Sequence, residues 1–231
     1  MKVISLYSGG KDSTRAIEIA LSQGHHVSAV LVMHSAEPHS HMFHTPTIEL
    51  TALQAQAMGL PLRTAATSGI EGAELDDLEA ALALAQDVLG IEGVVSGALR
   101  SRYQKDRIDR LCAKRGLASI APLWGIDALT HIRDLIARRY SILFTAVASE
   151  GLDATWLGRT LDEQALEHLQ QLHAQTGLNL DGEGGEYETL VLWAPMFRQR
   201  LQVRLRPQMG PRSGRVVVEE ASLVPVVHEG R

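Results

Sequence analysis

Residues 8–13 read Ser-Gly-Gly-Lys-Asp-Ser, a set of groups that can hold an anion. Gly9 and Gly10 permit backbone angles and close approaches that other residues resist. Asp12 and Ser13 are helix-capping types, so a helix beginning here would aim its unpaired N–H groups and its positive dipole end at the turn. Lys11 adds a mobile positive charge, and Asp12 is the first candidate ligand for magnesium. The bland alternative is a glycine-rich turn before a well-capped helix. The spacing is not Gly-x-x-x-x-Gly-Lys-Ser/Thr, so it is not the ordinary P-loop. Nor is it Gly-x-Gly-x-x-Gly, which disfavours a dinucleotide fold.

A second chemical segment is Asp181-Gly182-Glu183-Gly184-Gly185-Glu186-Tyr187-Glu188-Thr189. Its glycines allow tight turns, while Glu183, Glu186 and Glu188 form a negative rim for magnesium or for an ammonium- or trimethylammonium-bearing group. Tyr187 offers a cation–π face. Read by itself, the segment is equally an acidic solvated hairpin. Tyr103, Gln104 and Arg107 share one helix face by spacing, and an arginine there can clamp a phosphate bidentately; the other reading is a solvated charged surface. His34, His39, His41 and His44 crowd together, but their spacing matches no zinc module and Pro38 and Pro46 mark a loop. A loop over the nucleotide site, with His44 alone functional, is the expectation. His25 and His26 read as surface turn residues, and Trp124 and Trp193 as core packing.

Alternating elements must position these groups. Val3–Tyr7 is an apolar run, Val27–Met33 is suited to a buried parallel strand, and Leu62–Ala66, Gly93–Gly97 and Leu117–Ile120 read as further strands. Helical patterns run from Thr14, over Thr47–Met58, Ala73–Leu89 and Tyr103–Arg115. Such βα repeats imply a doubly wound parallel sheet with ligands bound at the strands' carboxyl ends. After Trp124 the pattern becomes helix (Asp127–Arg139), strand (Ser141–Val147), helix (Leu161–Thr176) and strand (Tyr187–Leu192). Gln199–Leu205 and Arg215–Pro225 then suggest an antiparallel or mixed end. The fold class is therefore α/β with a smaller C-terminal α+β domain. The expected division is 1–124 for nucleotide, 125–225 for substrate, and 226–231 as a flexible tail.

Composition narrows the partners. The 231 residues are 45% hydrophobic and 21% charged with net charge −5, which suits a globular protein and argues against stable nucleic-acid or anionic-membrane binding. No apolar run reaches the roughly 20 residues of a membrane helix, and Lys2 leads straight into the first strand and the loop, leaving no room for a cleavable signal. A cytoplasmic location is expected. The single cysteine, Cys112, excludes an internal disulfide and a Cys-x-x-Cys centre; beside Ile108 and Leu111 it reads as a buried thiol.

Ser8–Ser13 at the first strand–helix junction resembles the PP-loop of the ATP pyrophosphatases, which cut ATP between the α and β phosphates. Joined to Gly182–Thr189, it resembles the diphthine–ammonia ligase family of N-type ATP pyrophosphatases. Further matches fall in order at Met42–Pro46, Gly97–Ile108, Ala121–Trp124, Glu150–Asp153 and Trp156–Arg159. Arg102 departs from the pattern, since relatives often carry an acidic residue there. The resemblance spans about residues 1–200.

It implies an AMP-forming amide ligation using ATP and magnesium. The carboxylate of diphthine, on translation elongation factor 2, would be adenylated and ammonium would supply the nitrogen, giving diphthamide. It also implies roles. Ser8, Gly9, Gly10 and Ser13 would cradle pyrophosphate, Lys11 and Arg107 would neutralise charge, and Asp12 would hold magnesium. The backbone of Leu31, Val32 and Met33 would hold adenine, with Tyr103 and Gln104 nearby. His44, Trp156, Glu183, Gly184, Gly185, Glu186, Tyr187 and Glu188 would serve diphthine and ammonium; one glutamate would deprotonate ammonium, Glu186 is the catalytic candidate, and the roles of the individual glutamates stay open. The lone cysteine weakens the sulfur-transfer branch of the superfamily. Two other readings stay open: adenylation of another carboxylate or a tRNA base, and a non-catalytic ATP- or AMP-binding regulator. The oligomeric state, a homodimer among the options, is not set by the sequence.

Overall fold

The computed structural model describes residues 1–35, 50–68 and 73–226. The expectations for His39, His41 and His44, for the start of the Thr47–Met58 helix and for the tail beyond Val226 lie outside the described residues. The chain divides into two compact units. One comprises Met1–Ser8, Asp12–Thr51 and Leu60–Gly125; the other comprises Gly9–Lys11, Ala52–Gly59 and Ile126–Arg231.

The first unit is built on five parallel strands: β1 (Lys2–Leu6), β2 (His26–Ser35), β3 (Leu62–Thr67), β4 (Gly93–Val95) and β5 (Ala118–Ile120). Their spatial order is β3-β2-β1-β4-β5, all pairings parallel. The order reverses beside β1, so the switch point lies at the strand that feeds the Ser8–Ser13 loop. Strand alternation explains the layering. Ile4, Ala29, Leu31, Met33 and Val94 pack with Leu78, Leu82 and Ala85 of α3 (Ala73–Leu89) and with Ile108, Leu111 and Cys112 of α4 (Arg102–Arg115). The intervening Val3, Val30 and Val32 are buried as well, as are Ala16, Ile17 and Ala20 of α1 (Lys11–Ser22). The α/β class read from the βα repeats is the class observed. β4 ends at Val95 rather than Gly97: Ser96 N–H makes the last bond to β5, at Ile120 O, and Gly97 is already pressed against the first turn of α1.

The second unit carries an antiparallel sheet of β6 (Ser141–Val147), β7 (Tyr187–Trp193), β8 (Gln199–Met209) and β9 (Gly214–Pro225), in the order β7-β6-β9-β8. Its helices are α2 (Thr51–Met58), α5 (Ala128–Ala137) and α6 (Glu163–Thr176). α6 starts two residues later than its pattern suggests. Asp162 caps it, its Oδ1 accepting from Ala165 N at 2.8 Å, which satisfies one of the orphan amides of the first turn. β8 continues four residues past Leu205, through a polar stretch whose pairing with β9 (Arg206↔Val217, Pro207↔Val216, Gln208↔Arg215, Met209↔Gly214) fixes it despite weak alternation. No described helix is long and apolar enough to cross a membrane.

Candidate active site

The loop after β1 turns through Gly9, whose φ of +82° lies in the left-handed region that a side chain would penalise. Ser8 and Ser13 close its mouth, their hydroxyls 3.1 Å apart, with Ser8 N–H donating to Ser13 Oγ at 3.3 Å. The first turn of α1 rests on Gly97, where an added Cβ would stand 2.7 Å from Ser13 N and 2.8 Å from the Asp12 carbonyl carbon. That proximity explains a glycine at the carboxyl end of β4: the helix start needs the space. Tyr7 is buried, pairs with Thr14 at 3.3 Å, and is kept firmly protonated by that burial. β1 pairing with β2 stops at Leu31, whereas β2–β3 pairing continues to Ser35↔Thr67. The backbone of Val32 and Met33 therefore runs past the last β1 partner, the arrangement an adenine edge would need.

On α4, Ser101 caps the helix by accepting from Gln104 N. Arg107 folds back on its own helix. Its guanidinium carbon lies 3.3 Å from the Tyr103 ring centroid, and Nη1 donates to Tyr103 O at 3.2 Å. Tyr103 and Arg107 thus lie against each other on α4, the helix that follows β4, while Gln104 gives its backbone N–H to the Ser101 cap. Deeper on the helix, burial works against ionisation of Asp109, but hydrogen bonds from Lys105 (2.5 Å) and Ser119 (2.6 Å) and the Lys105 charge hold its carboxyl below the usual range.

Gly9–Lys11 make their contacts within the second unit. Val191 N–H donates to Gly9 O at 3.0 Å. Lys11 N–H donates to Thr189 Oγ1 at 3.2 Å, and its Nζ donates to Asp181 O at 2.5 Å while standing 5.2 Å from the Tyr187 ring centroid. Lys11 and Asp181 are both buried. Three segments singled out in the sequence, Gly9–Lys11, Asp181 and Tyr187–Thr189, therefore meet.

The glycine–glutamate loop owes its shape to the same economy of space. Gly182 and Gly185 take positive φ, at +73° and +86°. Glu186 Oε1 accepts from Asn179 N (3.2 Å) and Asn179 Nδ2 (2.5 Å). A Cβ on Gly184 would lie 2.6 Å from that oxygen and 2.9 Å from Oε2, so only glycine lets the carboxylate lie across the turn. Glu186 Oε2 is buried with no hydrogen-bond partner among the described residues, a costly state for a carboxylate oxygen. Tyr187 is buried, its hydroxyl donating to Leu180 O and its ring edge-on to Phe144 at 5.0 Å. Glu183 donates its backbone N–H to Asp181 Oδ1 at 3.2 Å, and Glu188, on β7, is half-buried.

Comparison with known proteins decides the family. The N-terminal domain of diphthamide synthase matches residues 1–119, and its C-terminal domain matches residues 127–224. This chain belongs to the diphthamide synthase family. It is 34% identical over 222 residues to the diphthine–ammonia ligase of Mus musculus, covering 88% of this chain and 83% of that protein. The Danio rerio enzyme of the same name is 33% identical over 219 residues, 87% and 86% covered. That of Schizosaccharomyces pombe is 32% identical over 94% of this chain but only 38% of its own length.

Within this diphthamide synthase chain, some expected residues sit apart from the loop contacts. Trp156 is buried in the second unit, edge-on to Phe144 at 5.1 Å and with the Arg159 guanidinium carbon 4.7 Å from its ring centroid. Trp124 corrects the expectation of a core tryptophan. It is 36% exposed, in the turn that follows β5, with Lys105 Nζ 5.3 Å from its ring. Asn179 and Gln54 were not anticipated. Asn179 precedes the motif by two residues, and Gln54 lies in a helix with no chemical signature. The site suits ATP carrying magnesium: a helix N-terminus, two hydroxyls and the single carboxylate of Asp12 are hard oxygen and amide donors for an ion that keeps most of its shell on phosphates and water. Among the described residues no group of three or more His, Cys, Asp or Glu could hold a metal on its own.

Proposed function

We propose that this chain is the ATP-dependent, AMP-forming ligase that converts diphthine on elongation factor 2 to diphthamide with ammonium. The observation that carries the reading is the attachment of Gly9–Lys11 to the segment Asp181–Val191 through Gly9 O, Lys11 N and Lys11 Nζ. It joins the phosphate-binding turn to the motif most specific to the family.

A carboxylate resists amine attack because oxide is a poor leaving group. In the first step the diphthine carboxylate oxygen attacks the α-phosphorus and the bond to the β-phosphate bridge breaks, releasing pyrophosphate. In the second, neutral ammonia attacks the acyl carbon and the C–O bond to AMP breaks. The main-chain amides from Ser8 to Gly10, with the Ser8 and Ser13 hydroxyls, hold pyrophosphate at the start of α1. Lys11 and Arg107 balance the charge that develops there, and Asp12 is the ligand for magnesium, which supplies further charge neutralisation when bound. Leu31, Val32 and Met33 present backbone to adenine, with Tyr103 and Gln104 at the neighbouring edge. Glu186 receives the ammonium proton on Oε2, since Oε1 is occupied by Asn179, and the carboxylates of Glu183 and Glu188 draw the cationic acceptor. Holding both reactants is the larger contribution, since no covalent nucleophile is needed.

The test is a binding and product assay. ATP, magnesium, ammonium and diphthine-bearing elongation factor 2 should give AMP, pyrophosphate and diphthamide in equal amounts. AMP without diphthamide would point to another acceptor.

A further inference from the structure

Gln54 lies in α2, is fully buried, and belongs to none of the segments with a chemical signature. Its Nε2 sits 2.9 Å from Gly9 O and 2.8 Å from Val191 O, donating one hydrogen to each. The amide's orientation is fixed by these acceptors, because the flipped form would put an oxygen against two carbonyl oxygens. Oε1 is buried without a hydrogen-bond partner among the described residues. A glutamine kept here despite that penalty is held for its two donors.

We infer that Gln54 is a positioning residue for nucleotide binding: its amide fixes the Gly9–Gly10 peptide plane of the phosphate turn against β7. Gly9 O receives two hydrogen bonds, from Gln54 Nε2 and from Val191 N. In a planar trans peptide the C=O and the following N–H point in opposite directions. Pinning the Gly9 carbonyl toward β7 therefore turns the Gly10 N–H edge to the other side of the turn. Gly9 has no side chain to restrain it and takes positive φ, so without the amide this peptide has the freedom to rotate. Val191 N–H alone is a single bond about which it can swing. Because Gln54 binds Val191 O as well, it holds the turn at a set distance from the strand that follows the glycine–glutamate loop.

The inference rests on the ATP-binding reading above, and calorimetric titration of the full chain with ATP and magnesium separates the two. Absence of ATP binding by the unaltered protein would refute that reading and leave Gln54 no ligand to position. If the unaltered protein binds, Gln54→Met, which keeps length and volume but has no donor, should raise the Kd for ATP about tenfold or more. Met58→Ala, a cavity one helical turn beyond Gln54, should lower the unfolding temperature yet leave the Kd within about twofold. A Gln54→Met Kd within twofold of the unaltered value, or an equal loss in Met58→Ala, overturns the inference. Gln54→Glu gives an independent readout. Its carboxylate faces two carbonyl oxygens and regains a donor only when protonated, which burial favours. Its Kd relative to the unaltered protein should fall as pH is lowered, and a ratio that does not change with pH contradicts the role.

Discussion

The ammonium of Lys11 donates to the backbone carbonyl of Asp181 at 2.5 Å, across 170 positions of chain. The lysine proposed to meet phosphate is thereby tied to the segment that carries Glu183, Glu186 and Glu188. Lysine desolvated to this extent needs partners for its donors, and Asp181 O and the Tyr187 face are two of them. Lys11→Ala should therefore remove both a charge and a tether. Pyrophosphate release should drop by about two to three orders of magnitude, in the range of losing one transition-state donor. Lys11→Arg, too large for the same buried position, should not restore it. Steady-state pyrophosphate release measures both.

Glu186 and Asn179 separate binding from ligation. Glu186→Gln keeps the shape across Gly184 but cannot take a proton, so ATP affinity should stay within about twofold while amide formation is lost. Asn179→Ala removes the Nδ2 donor and leaves Oε1 the backbone N–H of residue 179, and should lower ligation less severely. Unchanged diphthamide yield in Glu186→Gln would refute a role for this carboxylate as proton acceptor.

Gly97 tests the packing beneath the phosphate turn. An alanine Cβ would come within 2.7–3.0 Å of backbone atoms of Asp12 and Ser13, which cannot yield as a side-chain tip can. Gly97→Ala should cost about 1–3 kcal/mol of stability and weaken ATP binding, read by thermal unfolding and titration. Gly116→Ala, a helix C-cap with φ of +66° and nothing near its Cβ, should destabilise through backbone strain while leaving ATP affinity unchanged.

Cys112 should be inert in the folded protein. Burial chiefly, with the Asp109 charge adding to it, pushes its thiol from 9.0 up to about 11. Native protein at pH 8 should resist iodoacetamide, while protein in denaturant reacts readily. The folded value is raised, so the stability tied to the neutral thiol is complete below pH 9 and is lost as pH rises toward 11. Mass spectrometry of the alkylated fraction against pH reads it directly.

The parallel sheet was legible because β1, β2 and β4 are apolar and buried and Ser8–Ser13 announced the switch point; β3, with Arg63 and two threonines, is largely exposed at the sheet edge. The C-terminal sheet was legible in kind, less so in extent: Arg206–Met209 lack alternation, and only pairing with β9 extends the strand. Contacts across long chain separations left no local trace. Nothing near Gln54 signals that it reaches Gly9 and Val191, and no spacing rule links Lys11 to Asp181. Trp124 looked like core because tryptophan usually is, yet it sits in the turn after β5, where Lys105 covers one face. Trp156, in a matching motif, is held by Phe144 and Arg159 instead.

The central claim is cleavage of ATP between the α and β phosphates, coupled to amide formation. The most direct measurement follows α-labelled ATP with the unaltered protein, magnesium, ammonium and diphthine-bearing elongation factor 2. The account predicts label in AMP, pyrophosphate released, and one diphthamide per AMP. Label appearing in ADP, with inorganic phosphate released, would contradict it.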